Sequence, residues 1–209
     1  MASRVIFFWG YQLICTVSLC IIFQMGFLRK AKKMTPRHLI SVSIFLFYLM
    51  NVYMRTGIGT LWDLLNPAMV IRGDEINLFP FFVPSEEFGI NLFDVLNVLM
   101  LIPLGFMLPA IWPSFRSIKK VALTGFLFSL SIEISQLFNH RITDINDLIM
   151  NTAGAAIGYF IYKLLYKNSK EIQEPSSPLV KHEAIFYLIL SFLGIFLFFS
   201  MPKRLMIIN

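Results

Sequence analysis

The sequence predicts an all-α integral membrane protein, a bundle of about six transmembrane helices with an outward-facing polar pocket. Three observations lead to this prediction. Apolar residues make up 57% of the chain and charged residues only 14%, whereas soluble domains carry about 25% charged residues. Six apolar runs are long enough to cross a bilayer. Within three of these runs, polar residues recur at the spacing of one helix face.

The six apolar runs define the expected spans. They lie near residues 5–28, 39–57, 91–112, 121–140, 147–166 and 184–201. The first run has no small-residue cleavage site and is followed by basic residues, which favours a signal anchor over a cleaved signal peptide. We therefore expect a first helix with a basic loop (1–38), a four-helix membrane core (39–166), a polar linker (167–183) and a C-terminal transmembrane helix (184–209).

The positions of lysine and arginine predict the orientation. Twelve of the eighteen basic residues lie around the ends of the first, third and fifth runs. Because basic residues favour cytoplasmic loops, the protein is expected to be a multi-pass membrane protein with both termini extracytoplasmic. The basic residues are interleaved with apolar runs rather than gathered on one face, so the expected partner is the lipid bilayer and not nucleic acid.

Three polar stripes follow from helical spacing. They are Asp94, Asn97, Leu101 and Gly105; Ser129, Glu133, Gln136 and His140; and Asp147, Asn151, Gly154 and Gly158. A carboxylate inside a bilayer costs several kcal/mol unless it faces protein or water. We therefore expect the third, fourth and fifth helices to turn these stripes toward one another. With the orientation above, the polar residues converge in the outer half of the membrane.

Glu133 is the strongest single candidate for function. One interpretation is an acid/base or ligand-binding carboxylate in the pocket. The structural alternative is a buried hydrogen bond to Asn97 or Asn151 that joins two helices. Gln136, one helical turn further on, either orients Glu133 or binds the ligand itself.

Two more carboxylates lie close to Glu133 in the predicted bundle. Asp144 precedes a helix and fits an N-cap, and Asp147 then lies in the first turn, where negative charge complements the helix dipole. Together with Glu133 they could share protons, hold a divalent cation or bind a cationic or hydroxyl-rich head group. If the protein is an enzyme, Glu133, Asp144 and Asp147 are the catalytic candidates. A zinc site is not expected, because there is no HExxH motif and only His140 lies nearby.

The loops and helix interiors give further expectations. Arg141 is a counter-ion for Asp144, a contact for a lipid phosphate, or a plain solvated charge. Gly154 and Gly158 predict close helix packing, and Pro103 predicts a kink. Residues 58–90 form a long external loop, with a short interfacial helix near 62–70 and an extended aromatic segment at 77–82 that could hold a lipid tail or cover the site.

Four segments resemble the VanZ-like family. Residues 77–81 (NLFPF) resemble its N-L-x-P-F element, and residues 97–106 (NVLMLIPLGF) resemble N-V-x-x-F-x-P-L-G-F, with Leu101 in place of the common Phe. Residues 133–136 match its E-x-x-Q pair, and residues 144–154 match D-x-x-D-x-x-x-N-T-x-G. The elements occur in order over about residues 40–166.

The resemblance implies a small bacterial cell-envelope membrane protein, and the name-giving member is associated with low-level resistance to teicoplanin-type glycopeptides. We therefore expect an envelope protein that binds or modifies an extracytoplasmic lipid-linked or peptidoglycan-derived ligand. The expected ligand-binding residues are Asn77, Asp94, Asn97, Gln136, Arg141 and Asn151. The sequence assigns no metal site, and it leaves any cofactor unknown.

Two other functions stay open at this level. The first is a non-catalytic accessory protein that binds another membrane protein through Gly154, Gly158 and the outer loop. The second is a transporter, which is less well supported because no inverted repeat is visible and the polar residues cluster in one leaflet.

Overall fold

Six long helices make up most of the described chain. The computed structural model describes residues 2–28, 35–80, 92–166 and 178–200. The helices are α1 (Ala2–Phe23), α2 (Pro36–Thr56), α3 (Leu92–Ile111), α4 (Ile118–Gln136), α5 (Ile145–Leu165) and α6 (Glu183–Phe198). One helix therefore lies over each of the six predicted runs.

Short elements join the long helices. They are a π-helical turn (Gln24–Leu28), two short α-helices (Leu61–Leu64 and Pro178–Lys181), two 3-10 turns (Gly73–Glu75 and Pro113–Phe115) and two short strands, β1 (Ile76–Asn77) and β2 (Thr143–Asp144).

Four helical stretches are long and apolar enough to cross a membrane. They are Ile6–Gly26, Pro36–Leu64, Leu92–Ile111 and Ile145–Leu165. Helix α4 has 19 residues, among them the charged Lys119, Lys120 and Glu133, and α6 has only 16 residues. The described part of the chain is thus an all-α membrane protein with four candidate spans, and the count of six stays a prediction.

Helix α6 packs against both α1 and α2. A Cβ atom on Gly194 would overlap the carbonyl oxygen of Cys15 in α1. The Tyr53 hydroxyl of α2 lies 2.9 Å from the Ser191 hydroxyl. The C-terminal helix is therefore held inside the bundle by a close backbone approach and a buried polar contact.

Helices α3 and α5 form the closest pair around the polar residues. A Cβ atom on Gly154 would overlap the carbonyl oxygen of Val98, and one on Gly158 would overlap that of Ile102. This confirms the predicted packing role of the two glycines. It also corrects the accessory-protein hypothesis, because the face of α5 that carries Gly154 and Gly158 is already covered by α3.

A hydrogen bond near Pro103 links helices α2 and α3. Pro103 lies inside α3 and has no N–H for the helical hydrogen-bond ladder. In the turn before it, the Met100 carbonyl accepts a hydrogen bond of 2.8 Å from the Tyr48 hydroxyl of α2. The tyrosine therefore links α2 to the turn of α3 that precedes the proline.

The loop between α2 and α3 is anchored by a parallel strand pair. Ile76 pairs with Thr143, and Asn77 pairs with Asp144, so the loop is tied to the connection between α4 and α5. The predicted interfacial helix is only the four residues Leu61–Leu64. Of the aromatic segment, Phe79 is exposed, while Phe81 and Phe82 lie outside the described residues.

The predicted polar stripe on the fourth helix includes one residue, His140, that does not belong to the helix. Helix α4 ends at Gln136, and His140 lies beyond it in a left-handed backbone conformation with φ of 58°. Ser129, Glu133 and Gln136 remain on the helix and are all buried. His140 therefore does not belong to the polar face that these three residues share.

Candidate functional site

A cavity of about 790 Å³ lies where α2 and α4 end and α3 and α5 begin. The opposite end of the bundle carries Arg116 after α3, Lys163 in the last turn of α5 and Lys181 before α6. The cavity is lined by Tyr48, Asn51, Val52, Arg55 and Thr56 of α2, by Phe93, Leu96, Asn97, Leu99, Met100 and Pro103 of α3, and by Glu133, Gln136, Arg141, Asp147 and Asn151.

Six of the nine predicted site residues line this cavity, and the other three do not. Those that line it are Asn97, Glu133, Gln136, Arg141, Asp147 and Asn151. Those that lie outside the lining are Asn77, Asp94 and Asp144. The structure therefore brings most of the predicted side chains to one place, although they come from several separate segments.

Helix α2 also forms a wall of the cavity, although the sequence predicted a pocket between the third, fourth and fifth helices only. Tyr48, Asn51 and Arg55 all line the cavity. Their spacing of three and four residues is itself a polar stripe on one helix face. The sequence therefore contained a pattern from which the contribution of α2 could have been predicted.

Glu133 is buried, with 4% of its surface exposed. Its Oε2 atom accepts a hydrogen bond of 3.0 Å from the backbone N–H of Asp144. The Thr143 hydroxyl donates to the Glu133 carbonyl oxygen at 3.2 Å. The predicted structural partners, Asn97 and Asn151, are therefore wrong, and Glu133 instead holds the start of α5.

Asp144 is the N-cap of α5, as predicted. Its Oδ1 atom accepts a hydrogen bond of 2.8 Å from the Asn146 backbone N–H, which satisfies a donor of the first helical turn. Its Oδ2 atom accepts one of 3.1 Å from the Asn77 side-chain amide. Both carboxylate oxygens of Asp144 are thus engaged, and Asn77 acts through Asp144 rather than on the cavity.

Two amides link the helices around the cavity. The Asn97 Nδ2 atom of α3 donates to Asp147 Oδ1 of α5 at 2.5 Å. The Asn151 Nδ2 atom of α5 donates to the Ser129 hydroxyl of α4 at 2.9 Å. The predicted polar stripes therefore meet through pairs of side chains, as the cost of isolated polar groups in a bilayer requires.

Four carboxyl groups lie close enough to repel one another. Glu133 interacts electrostatically with Asp144 and Asp147, and Asp147 also interacts with Asp94. Asp94 is 3% exposed. Across residues 2–28, 35–80, 92–166 and 178–200, no three His, Cys, Asp or Glu side chains are placed to hold a metal ion. Carboxyl groups in this arrangement can accept hydrogen bonds from the N–H or O–H groups of a ligand.

Gln136 and Arg141 close the C-terminal end of α2. The Gln136 Nε2 atom and the Arg141 Nη1 atom both donate to the Thr56 carbonyl oxygen, at 2.8 and 2.6 Å. Asn139 donates to the next carbonyl, that of Gly57, at 2.8 Å. Helix ends leave such carbonyls without intrahelical partners. Gln136 therefore does not orient Glu133, and Arg141 contacts a helix end instead of forming the predicted ion pair with Asp144.

Two buried oxygen atoms of the lining have no hydrogen-bond donor in the described part of the chain. They are the Oε1 atom of Gln136 and the Oδ1 atom of Asn151. Gln136 is 6% exposed and Asn151 is 2% exposed. Because an unsatisfied buried acceptor costs about 1–3 kcal/mol, a ligand that supplies N–H or O–H groups would be stabilised here.

A family model agrees with the motifs in the sequence. The family model described as VanZ/LLP1 matches residues 13–166, which includes helices α2 to α5 and half of α1. Neither the curated proteins nor the solved structures contain a significant match to the chain. With a match over about three quarters of its length, this chain belongs to the VanZ/LLP1 family.

Proposed function

We propose that this protein is a bacterial cell-envelope protein whose cavity opens to the cell exterior. There it binds or modifies a lipid-linked or peptidoglycan-derived ligand and so lowers susceptibility to teicoplanin-type glycopeptides. The observation that carries the proposal is the cavity itself, which gathers Glu133, Asp147, Asn97 and Asn151 at the end of the bundle opposite the basic loops.

The chemistry of the lining supports ligand binding rather than a purely structural role. Glu133 and Asp147 present carboxylates to a cavity of about 790 Å³, a volume typical of small-molecule sites. The amide oxygens of Gln136 and Asn151 add acceptors without donors among the described residues. In the proposed site, Glu133 and Asp147 act on or bind the ligand, while Asp144 and Asn77 position the start of α5.

Expression of the protein in a glycopeptide-sensitive Gram-positive host tests the function. We expect the wild-type chain to raise the minimum inhibitory concentrations of teicoplanin and of a lipoglycopeptide relative to the empty vector, at verified membrane levels. Unchanged values for both drugs would contradict the resistance activity.

The proposed orientation has a separate test with cysteine labelling. Ala68 lies in the external loop and Lys119 at the basic end, and both are exposed. The native cysteines, Cys15 and Cys20, are buried at 2% and 0% exposure and give little background. We expect a membrane-impermeant maleimide to label Ala68→Cys on intact cells and Lys119→Cys only after lysis. The reverse pattern would contradict an exterior cavity.

A further inference from the structure

The cavity combines charged groups at one end with an apolar wall on one helix. On α2 the lining runs from Arg55 and Thr56 at the helix end to Tyr48. That is seven residues from Arg55, or about 10 Å at 1.5 Å per residue. On α3 the lining is mostly apolar and comprises Phe93, Leu96, Leu99, Met100 and Pro103 beside Asn97. The cavity therefore has charged groups at its outer end and an apolar wall along α3, which suits an amphiphilic ligand.

Two arginines stand at the charged end. Arg141 donates from Nη1 to the Thr56 carbonyl oxygen, which leaves its other N–H groups for a second acceptor. Arg55 lines the cavity and is exposed. It has no hydrogen bond or ion pair with the described residues. A guanidinium group is well suited to bind a phosphate through paired hydrogen bonds.

One side of the cavity is bordered by exposed apolar side chains. Leu96 and Leu99 of α3 belong to its lining and are nevertheless 48% and 55% exposed. At the inner end, the hydrogen bond from Tyr48 to the Met100 carbonyl joins α2 to α3. The gap between these two helices is therefore closed at its inner end and flanked by exposed apolar side chains, which suits lateral entry from a lipid bilayer.

We propose that the cavity binds a phosphate-bearing lipid that enters sideways between α2 and α3. Its phosphate lies on Arg55 and Arg141, and its apolar chain follows Leu96 and Leu99. Hydroxyl or amine hydrogens of the lipid bind the Oδ1 atom of Asn151 and the Oε1 atom of Gln136. This inference rests on the proposed function and narrows its ligand to a lipid phosphate.

Equilibrium binding to the purified full-length chain in detergent tests the inference. The probes are fluorescently labelled phosphatidylglycerol and the matched labelled diacylglycerol, which lacks the phosphate. We expect phosphatidylglycerol to bind about tenfold more tightly than diacylglycerol, because a hydrogen bond to a charged group is lost without the phosphate. Millimolar glycerol phosphate should not displace it, since the chain contributes to affinity.

Arg55→Gln is the diagnostic variant, and Arg37→Gln is its control. Arg37 lies in the first turn of the same helix, is exposed and is outside the cavity lining. We expect Arg55→Gln to weaken phosphatidylglycerol binding about tenfold, with diacylglycerol binding unchanged. Arg37→Gln should alter neither. Both variants should elute and unfold as the wild type does, because neither side chain is buried.

Three results would overturn the inference. They are equal affinities for the two lipids, equal effects of the two arginine variants, and full displacement by glycerol phosphate, which would assign the site to a soluble phosphate. The resistance activity is tested independently of the lipid ligand. Resistance without phosphatidylglycerol binding would refute only the lipid-phosphate ligand, whereas Arg55-dependent lipid binding without resistance would refute only the resistance activity.

Discussion

Glu133→Gln is expected to return glycopeptide susceptibility to the level of the empty vector while leaving the amount of folded protein in the membrane unchanged. Glutamine keeps the side-chain length and an oxygen that can accept from the Asp144 backbone N–H, the bond of 3.0 Å in the structure. It removes the carboxylate that faces the cavity. A role in proton transfer is worth on the order of a hundredfold in rate or more, which would erase low-level protection.

The control for this variant is Glu75→Gln. Glu75 lies at the same end of the molecule, 3.5 Å from His140, and outside the cavity lining. We expect this variant to protect as the wild type does. Full protection by Glu133→Gln would instead show that the carboxylate only holds the start of α5. That result would favour the accessory-protein alternative, with the loop between α2 and α3 as its remaining surface.

Gly158→Leu is expected to prevent α3 and α5 from packing and to lower the free energy of unfolding by about 3 kcal/mol. A Cβ atom at Gly158 would overlap the Ile102 carbonyl oxygen and lie 2.8 Å from the Phe106 backbone nitrogen. These are backbone atoms of the neighbouring helix, so no side-chain rotation relieves the overlap. Thermal unfolding and size-exclusion profiles in detergent measure the effect.

Gly10→Leu is the matched control. Gly10 lies in α1 and is exposed, and a Cβ atom added there would meet none of the described residues within 4 Å. Leucine also has a higher helix propensity than glycine, by up to about 1 kcal/mol. We expect this variant to be as stable as the wild type or more so. Gly158→Ala adds only the Cβ atom and therefore tests the backbone overlap without the bulk of leucine. If Gly158→Ala unfolds at the same temperature as the wild type, the packing argument is wrong.

The glycine contact also sets the geometry of the site. Asn97 lies on α3, and its partner Asp147 lies on α5, within a few turns of the contact. A wider separation of these helices would lengthen the bond between the two side chains. We therefore expect Gly158→Leu to lose phosphatidylglycerol binding together with stability, whereas Arg55→Gln loses binding alone.

The sequence contained the local features of this protein. Apolar runs of sufficient length predict the six helices, because a helix must satisfy its own backbone in lipid. Asp144 before a periodic segment predicts the N-cap, because its side chain can reach the first-turn N–H groups. Helical spacing predicts that Glu133, Asp147 and Asn151 face the interior, since period alone defines a helix face.

Only the tertiary structure decided which groups meet. The helical period predicts which residues share a face of a helix, but not which other helix that face contacts. The sequence therefore predicted the wrong partners for Glu133 and did not predict that α2 lines the pocket. The contact of Arg141 with Thr56 and that of Asn77 with Asp144 join residues 85 and 67 positions apart. Such contacts depend on how helices approach, which here is set by backbone overlap at a few glycines. The sequence by itself therefore determined the helices, the N-cap of α5 and most of the residues that face the interior, while packing determined the shape of the cavity and the position of Arg141 in its lining.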